Sequence, residues 1–151
     1  MNEVESNKQY HPQMHSAEHI LNQTMVRMFN CDRSFSNHIE KKKSKCDYHF
    51  SRDLSESELA EIERRVNEVI QKDLKVVEEF IVKDDAQKEY NLTKLPNGVG
   101  ESIRIIKVGD YDACPCSGLH VSHTKEIGRF KIISTDYNDG VLRLRFKLFY
   151  D

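Results

Sequence analysis

The chain has 151 residues, 38% of them hydrophobic and 32% charged, a balance typical of a single globular domain with a well-hydrated surface. Its net charge of −2 argues against nucleic-acid binding through overall charge, so such a role would need a local basic patch. No apolar run approaches the roughly 20 residues that cross a bilayer, and the N-terminus has no apolar stretch typical of a signal peptide. We therefore expect a cytoplasmic protein with no membrane partner, whose four cysteines are thiols or metal ligands.

The N-terminal part of the chain predicts a flexible segment followed by a helix. Residues 1–11 are polar, so we expect them to be flexible, and we expect residues 12–151 to form a single domain. Pro12 suits the first turn of a helix, because the N–H that proline lacks would be unpaired there in any case. The apolar residues that follow recur at helical spacing and predict a helix from about 14 to 29.

Two strands and a second helix are predicted next. The segment 34–50 has apolar residues on either side of a basic run, which favours two strands joined by a basic hairpin turn. The basic run consists of Lys41, Lys42, Lys43, Ser44 and Lys45. Ser55 and Glu58 resemble a capping box, with Ser55 as the N-cap, and helically spaced apolar residues follow, so we predict a helix over 56–73.

The remainder of the chain is predicted to be mostly β-structure. Apolar and β-branched runs predict strands at 76–82, 102–108, 128–134 and 141–149, the last two separated by a turn at 138–140. The other predicted segments are a short helix at 84–90, a turn at 95–98 and a loop at 114–124. Two helices and several antiparallel strands predict an α+β fold, a single domain in which an antiparallel β-sheet packs with two main helices.

Two histidines, His15 and His19, stand four residues apart in the first predicted helix. Side chains at this spacing lie on one helix face, one turn apart, which is how a helix supplies two nitrogen ligands to one zinc ion. Because two surface histidines also occur at this spacing by chance, the pair alone does not decide between a metal site and an ordinary helix surface.

A second pair, Cys116 and His120, adds a thiolate and a third imidazole, and Gly118 between them lets the loop fold tightly. Taken alone, this pair also fits an ordinary loop with a buried thiol. Taken together, the two pairs supply a full set of zinc-favoured ligands, and we predict a Zn²⁺ site used for hydrolysis. The predicted metal ligands are His15, His19, Cys116 and His120. Cys114 is open as an additional ligand, as a group contacting a ligand or as a packed thiol, and His123 is a spare candidate.

The order of these motifs resembles a known family. The segments HSAEHIL and CSGLHVSHT, the second followed by IGRFKIIS, resemble the second additional domain shared by alanyl- and threonyl-tRNA synthetases. They also resemble the smallest free-standing alanyl-tRNA editing proteins built from that domain. The helix containing IERRVNEVI is similar to a glutamate-rich helix of the family, so the resemblance extends over residues 14–147.

The resemblance implies an activity and its substrates: hydrolysis of the ester between a wrong amino acid and the 3′ end of a tRNA. In the alanine branch the wrong amino acids are serine and glycine on tRNAAla, and in the threonine branch the wrong amino acid is serine on tRNAThr. The family's metal-binding positions coincide with the four ligands predicted above. The chain departs from the family where CSGLH replaces the usual CGGTH, and where Cys114 replaces a usual acidic residue. The second departure favours an alternative, a non-catalytic zinc-containing tRNA-binding module or regulator derived from the editing domain.

Ester hydrolysis needs an activated water, which a zinc ion can supply by lowering the pKa of its bound water to about 7. Four protein ligands fill a tetrahedral shell and leave no open position for water. Either the coordination number therefore increases when substrate binds, or one of the four is a weak ligand. The candidates for the weak ligand are His120 and a ligand that exchanges with Cys114. Glu18 is the candidate catalytic residue, although on a helix it projects about 100° away from His19. The alternatives for Glu18 are a solvated carboxylate and a hydrogen bond to a metal ligand. His-x-x-Glu-His also matches a zinc peptidase motif, in which Cys116 would have no role.

Substrate and tRNA contacts are predicted from polar and basic residues near these motifs. A pocket that hydrogen-bonds the serine hydroxyl would reject alanine, and Ser16, Ser36 and Asn37 are candidate partners for that hydroxyl. Phosphate contacts to tRNA are expected from the basic run and from arginines that alternate with apolar residues on the last strand. The candidate tRNA contacts are Lys41, Lys42, Lys43, Lys45, Arg143 and Arg145. The alternatives are a charged surface turn and the solvated face of a half-buried strand.

Overall fold

The computed structural model describes residues 11–82 and 102–150. Within them it contains two α-helices and seven strands in two antiparallel sheets, which confirms the predicted α+β class. The strands are β1 (Ser36–His38), β2 (Ser44–His49), β3 (Val76–Val82), β4 (Ser102–Val108), β5 (Asp112–Pro115), β6 (Arg129–Asn138) and β7 (Val141–Phe149). The predicted flexible segment at 1–11, apart from its last residue, and the predictions at 84–90 and 95–98 lie outside the described residues.

The first helix, α1, spans Pro12–Phe29 and begins with its proline in the first turn, as predicted. It ends at Asn30, whose left-handed backbone (φ 54°) directs its N–H to the carbonyl of Val26 at 2.9 Å. Much of α1 is buried on its polar side as well as its apolar side. The buried polar residues are His15, Ser16, Glu18, His19, Asn22 and Thr24. Because buried polar groups need partners, this face of α1 indicates a structured polar centre.

The second helix, α2 (Glu56–Gln71), is confirmed together with its capping box. The backbone N–H of Glu58 donates to Ser55 Oγ at 3.2 Å, and the Ser55 N–H donates to the Glu58 carboxylate at 2.9 Å. Its buried apolar residues are Ile62, Val66, Val69 and Ile70. The helix ends two residues before the predicted end, because Asp73 adopts a left-handed conformation (φ 53°).

The four-stranded sheet has the order β1-β2-β7-β6, with every neighbouring pair antiparallel. The predicted basic hairpin between β1 and β2 is confirmed. β6 extends to Asn138, beyond the predicted end at 134, after a register shift between Ile132 and Ser134. The β6–β7 turn follows at Asp139 and Gly140, both with left-handed backbones, as the predicted turn requires.

The three-stranded sheet has the order β3-β4-β5, so the strands form two sheets and not the single predicted one. The prediction of a loop over 114–124 is wrong at its start, because Cys114 and Pro115 belong to β5 and pair with β4. A strand of four residues carries too little periodicity to be recognised, and proline is tolerated because β5 is an edge strand. The loop that carries the chemistry therefore begins at Cys116, directly after a strand.

The main core lies between the two helices and the inner face of the four-stranded sheet. Its largest fully buried side chains include Tyr48, Phe130 and Phe146, one from each of the three longer strands of that sheet. α1 contacts α2 and also β5, so one of its faces is directed towards the three-stranded sheet. Neither of the two described helices combines the length and apolar character needed to cross a membrane.

The capping box predicts a measurable contribution to stability. We expect Ser55→Ala to lower the free energy of unfolding by about 1 kcal/mol, because the Glu58 N–H at the start of α2 loses Ser55 Oγ as its acceptor. Urea denaturation followed by circular dichroism measures this difference. Ser51→Ala, at an exposed serine before the helix, is the control and should leave stability within about 0.5 kcal/mol. Equal stability of the two variants would contradict the assignment.

Candidate metal centre

Four side chains from two distant parts of the chain converge beside α1. One donor atom from each of His15, His19, Cys116 and His120 lies within 4.8 Å of the others. The two α1 histidines have ring centroids 5.1 Å apart, and the His120 ring stacks on the His15 ring at 4.2 Å. The four predicted ligands are therefore brought together into a group that can hold a metal ion.

Each histidine of this group directs its Nδ1 atom to a partner outside the group. Nδ1 of His15 lies 3.1 Å from the carbonyl oxygen of Leu119, and Nδ1 of His120 lies 3.0 Å from Ser16 Oγ. Nδ1 of His19 faces the carboxylate of Asp112 at 3.6 Å. Such outer partners fix the tautomer and the ring orientation, leaving Nε2 of each ring to serve as the metal ligand.

The inner nitrogen atoms face the thiol of Cys116. Nε2 of His15 lies 3.2 Å from its Sγ atom. Nε2 of His120 is buried and has no hydrogen-bond partner among the described residues. An imidazole nitrogen without a partner in the interior is costly unless it binds a ligand, so this orphaned atom fits a metal site. One soft thiolate and three imidazoles are the donor chemistry that zinc favours.

Electrostatics in the centre favour an ionised cysteine. Burial alone would raise the pKa of Cys116, but the facing imidazoles of His120, His15 and His19 lower it to about 2. Burial would lower the pKa of His19, whereas the contacts with Asp112 and Cys116 raise it to about 10. Burial lowers the pKa of His120 to about 3. The thiolate of Cys116 and the neutral ring of His120 are in the protonation states that bind metal, whereas the raised pKa of His19 means that this ring would release a proton on binding.

Gly118 is required by close packing and not by an unusual backbone angle. A Cβ atom at this position would lie 2.5 Å from Nδ1 of His15 and closer still to Cε1, which real side chains do not allow. The expectation that this glycine lets the loop fold tightly is therefore confirmed, with a more specific cause. The His15 ring occupies the space where a side chain at 118 would lie.

Ser16 has a different environment from the one expected for a residue that contacts substrate. It is fully buried, and besides its contact with His120 its Oγ atom accepts a hydrogen bond from the Val121 N–H at 3.1 Å. Ser16 therefore ties α1 to the loop that follows Cys116. The two other candidates lie on β1, where Ser36 is exposed and the Asn37 side chain accepts a hydrogen bond from Ser34.

Glu18 is buried, so the alternative of a solvated carboxylate is wrong. Glu18 is only 5% exposed, and its Oε2 atom has no hydrogen-bond partner among the described residues. It interacts electrostatically with Arg33 and with Tyr48, whose hydroxyl is likewise buried without a hydrogen-bond partner in the described part of the chain. The tertiary structure covers this carboxylate because α1 is enclosed on its polar side as well.

Cys114 and His123 lie outside the converging group. Cys114 projects from β5 with its Sγ near the carbonyl of Pro115, and burial raises the pKa of its thiol. A protonated, partly buried thiol is a poor metal ligand, which favours the packed-thiol alternative. His123 is at the surface, 3.9 Å from a carboxylate oxygen of Asp73.

The residues predicted to contact tRNA lie on the outer side of the four-stranded sheet and its hairpin. Lys41, Lys42 and Lys43 are exposed in the hairpin turn, and Lys45 pairs across the sheet with Arg145. Both arginines have acidic partners. Arg143 forms a bidentate ion pair with Asp47 at 2.8 and 2.9 Å, and Arg145 contacts Asp136 at 2.6 Å.

Sequence reasoning missed the outer partners of the three histidines. Asp112 stands four residues before Cys116 but belongs to no recognisable motif, and the partner of His15 is a backbone carbonyl, which any residue type provides. In the sequence, Ser16 stands out only because it lies inside the histidine motif. No local sequence pattern indicates these contacts, because they link residues about a hundred positions apart.

Comparison with known proteins finds a matching family and relatives that agree with each other. Residues 103–145 match the family described as the threonyl and alanyl tRNA synthetase second additional domain. The chain is 33% identical over 138 residues to an alanine–tRNA ligase of Methanococcus maripaludis, covering 87% of this chain and 15% of the ligase. It is 35% identical over 112 residues to that of Methanopyrus kandleri, covering 72% of this chain and 12% of the ligase. It is 35% identical over 132 residues to the alanine–tRNA ligase of Fervidobacterium nodosum, covering 86% of this chain and 15% of the ligase. The chain thus spans only 12–15% of the length of these relatives.

The contact between Gly118 and His15 predicts a sensitive position. We expect Gly118→Ala to displace the His15 ring and weaken Zn²⁺ binding at least tenfold, because overpacking here moves a ligand. Competition with a chromophoric chelator measures the affinity. Ser117→Ala, at the exposed neighbouring position, should retain the original affinity. Equal Zn²⁺ affinity of the two variants would contradict the assignment of His15 as a ligand.

Proposed function

Because the chain belongs to the family of the threonyl and alanyl tRNA synthetase second additional domain, we propose that it hydrolyses the ester of mischarged aminoacyl-tRNA. The preferred substrates in this proposal are Ser-tRNAAla and Gly-tRNAAla, with Ser-tRNAThr as the threonine-type possibility. The observation that carries the proposal is the convergence of three histidines and one cysteine, together with the buried Glu18, whose Oε2 atom has no hydrogen-bond partner among the described residues. Alanine–tRNA ligase is the named relative, which supports the alanine-type substrates.

The residues present fit a zinc ion, which would be held by His15, His19, Cys116 and His120. When bound, zinc would polarise a substrate oxygen or lower the pKa of a bound water to about 7. The protein contributes the geometry: α1 holds two rings one turn apart, and Ser16 and the Leu119 carbonyl orient the rings that face them.

Glu18 is the side chain that we propose handles the proton. Its carboxylate is adjacent in sequence to the ligand His19, and its Oε2 atom has no hydrogen-bond partner among the described residues. A buried carboxylate oxygen without a donor is costly, and such groups are concentrated at functional sites. Glu18 can accept a proton from an attacking water or a hydrogen bond from the substrate ammonium group.

For tRNA binding we propose the outer face of the four-stranded sheet together with the basic hairpin turn. Cross-strand register places Lys45 opposite Arg145 and Lys131 opposite Lys147, on a sheet whose inner face is buried in the core. Asp47 and Asp136 compensate only part of this charge. The result is a local positive surface on a chain of net charge −2, which suits a phosphate backbone.

A second candidate function is a non-catalytic tRNA-binding module. Two observations favour it: four protein donors would fill a tetrahedral shell, and Cys114 offers a protonated thiol where the resemblance implies an acid. The two functions differ in whether bound aminoacyl-tRNA is hydrolysed.

The deciding experiment follows release of labelled amino acid from Ser-tRNAAla, Gly-tRNAAla and Ser-tRNAThr, with Ala-tRNAAla as the correctly charged control. We expect release from the first two and none from Ala-tRNAAla. Cys116→Ala should abolish both Zn²⁺ binding and release, because a metal ligand is lost. Binding of all four without release would support the non-catalytic module, and release from Ser-tRNAThr alone would support the threonine type.

The role of Glu18 is tested by Glu18→Gln. We expect release of serine to slow by on the order of 10²–10⁴-fold while Zn²⁺ affinity stays unchanged, because the amide cannot accept the proton but fills the same space. Glu56→Gln, at an exposed glutamate in the first turn of α2, is the matched control. Unchanged release by Glu18→Gln would exclude a catalytic role.

The tRNA surface is tested by replacing Lys41, Lys42, Lys43 and Lys45 together with glutamine. We expect weaker tRNA binding and a flatter dependence of log affinity on log salt, by about 0.7–0.9 for each lost phosphate contact. The control replaces Lys72 and Lys125, exposed lysines outside the sheet. An unaltered slope in the quadruple variant would identify the hairpin as an ordinary surface turn.

A further inference from the structure

Asp112 is a buried carboxylate held by two side chains from other parts of the fold. Its side chain is fully buried at the start of β5. Arg33, in the segment between α1 and β1, donates to both of its oxygen atoms at 2.7 and 3.3 Å. Gln23, one helical turn after His19 on α1, donates to Oδ1 at 3.0 Å. These bonds fix both the position and the rotation of the carboxylate.

The clamped carboxylate presents one oxygen atom to a member of the metal-binding group. Oδ1 of Asp112 accepts hydrogen bonds from Gln23 and Arg33, and Oδ2, which accepts one longer hydrogen bond from Arg33 at 3.3 Å, lies 3.6 Å from Nδ1 of His19. This separation is slightly longer than a hydrogen bond, and Nδ1 has no other partner among the described residues. His19 and Asp112 therefore face each other with one donor and one acceptor still available for the bond between them.

We infer that Asp112, clamped by Arg33 and Gln23, is a positioning residue that accepts a hydrogen bond from Nδ1 of His19 and commits Nε2 to the metal. The inference rests on the metal site of the proposed function and adds residues to it. A carboxylate in this position orients the ring and makes the opposite nitrogen a stronger donor to metal.

Asp112 differs from the outer partners of the other two histidines. His15 faces a backbone carbonyl and His120 a serine hydroxyl, and both partners are neutral. Only His19 has a carboxylate as its outer partner in the described part of the structure. Since a charged acceptor forms the stronger hydrogen bond, His19 is the ligand whose donor strength depends most on its surroundings.

The same chain offers a matched control for a purely structural role. Asp47 is also a nearly buried aspartate with a bidentate arginine partner, Arg143, but it lies on the four-stranded sheet and contacts none of the metal-binding histidines through any hydrogen bond found in the structure. Removing either carboxylate disturbs a partly buried ion pair with an arginine. Only removal of Asp112 should change the metal site.

The test measures Zn²⁺ affinity of the full chain by competition with a chromophoric chelator, and the absorption spectrum of the Co²⁺-loaded protein. We expect Asp112→Asn to bind Zn²⁺ ten- to a hundredfold more weakly and to shift the Co²⁺ bands, because the ring is less well oriented. Asp47→Asn should retain the original affinity and spectrum. Original affinity and spectrum in Asp112→Asn would overturn the inference.

A second variant covers the case in which Asp112→Asn does not fold because Arg33 keeps an uncompensated charge. The double substitution Arg33→Met/Asp112→Leu replaces the ion pair with apolar side chains of similar size, a change that proteins often tolerate. We expect the same loss of affinity as in the single variant, and unchanged affinity would overturn the inference. A wild-type chain that binds no Zn²⁺ would overturn the proposed metal site as well, so the two failures are distinguishable.

Discussion

The convergence of three imidazoles on the thiolate of Cys116 is the constraint on which the rest of the site depends. Each ring directs its Nδ1 atom to a carbonyl, a hydroxyl or a carboxylate outside the group. These contacts make the inner nitrogen atoms the available donors and bring the cysteine loop against α1. They also explain why so many polar residues of α1 are buried, since each of those groups needs a partner that water would otherwise provide.

The two sheets contribute to different parts of the structure. The four-stranded sheet and the two helices enclose the apolar core, and this sheet leaves a basic outer face. The three-stranded sheet contributes little to that core, but its edge strand β5 delivers Asp112 at one end and leads directly into Cys116 at the other. The candidate metal centre therefore lies where the short sheet meets α1, so that the geometry of the four converging side chains depends on the contact between the two.

Acidic and basic side chains lie in different parts of the structure, which the net charge of −2 does not show. Carboxylates are placed in the interior beside the metal-binding group, where Glu18 and Asp112 are almost fully buried. Lysines and arginines are concentrated on the outer face and the hairpin turn of the four-stranded sheet. Because interior charges are costly unless they have partners or a function, the buried carboxylates are the stronger indication of chemistry. The surface charges form the face that we propose for tRNA binding.

Local sequence determined the elements whose signals lie within one or two turns of chain. The capping box of Ser55, the apolar period of α2 and the spacing of His15 and His19 are local features, and the structure has each of them. The association of these histidines with Cys116 was predicted from ligand chemistry and family resemblance, which do not depend on distance along the chain. Strand β5 and the division into two sheets could not be predicted, because a four-residue strand is defined by the neighbour with which it pairs.

Tertiary structure alone decided the surroundings of the site residues. A helical carboxylate such as Glu18 has the same local sequence whether it is solvated or covered, and only the packing around α1 buries it. Gly118 is required because a ring from a residue about a hundred positions away fills the space beside it. The pairing of Arg33 with Asp112 likewise joins two residues that no local pattern connects. Sequence thus specifies ligand types and local conformation, whereas burial and outer hydrogen-bond partners arise only when distant segments meet.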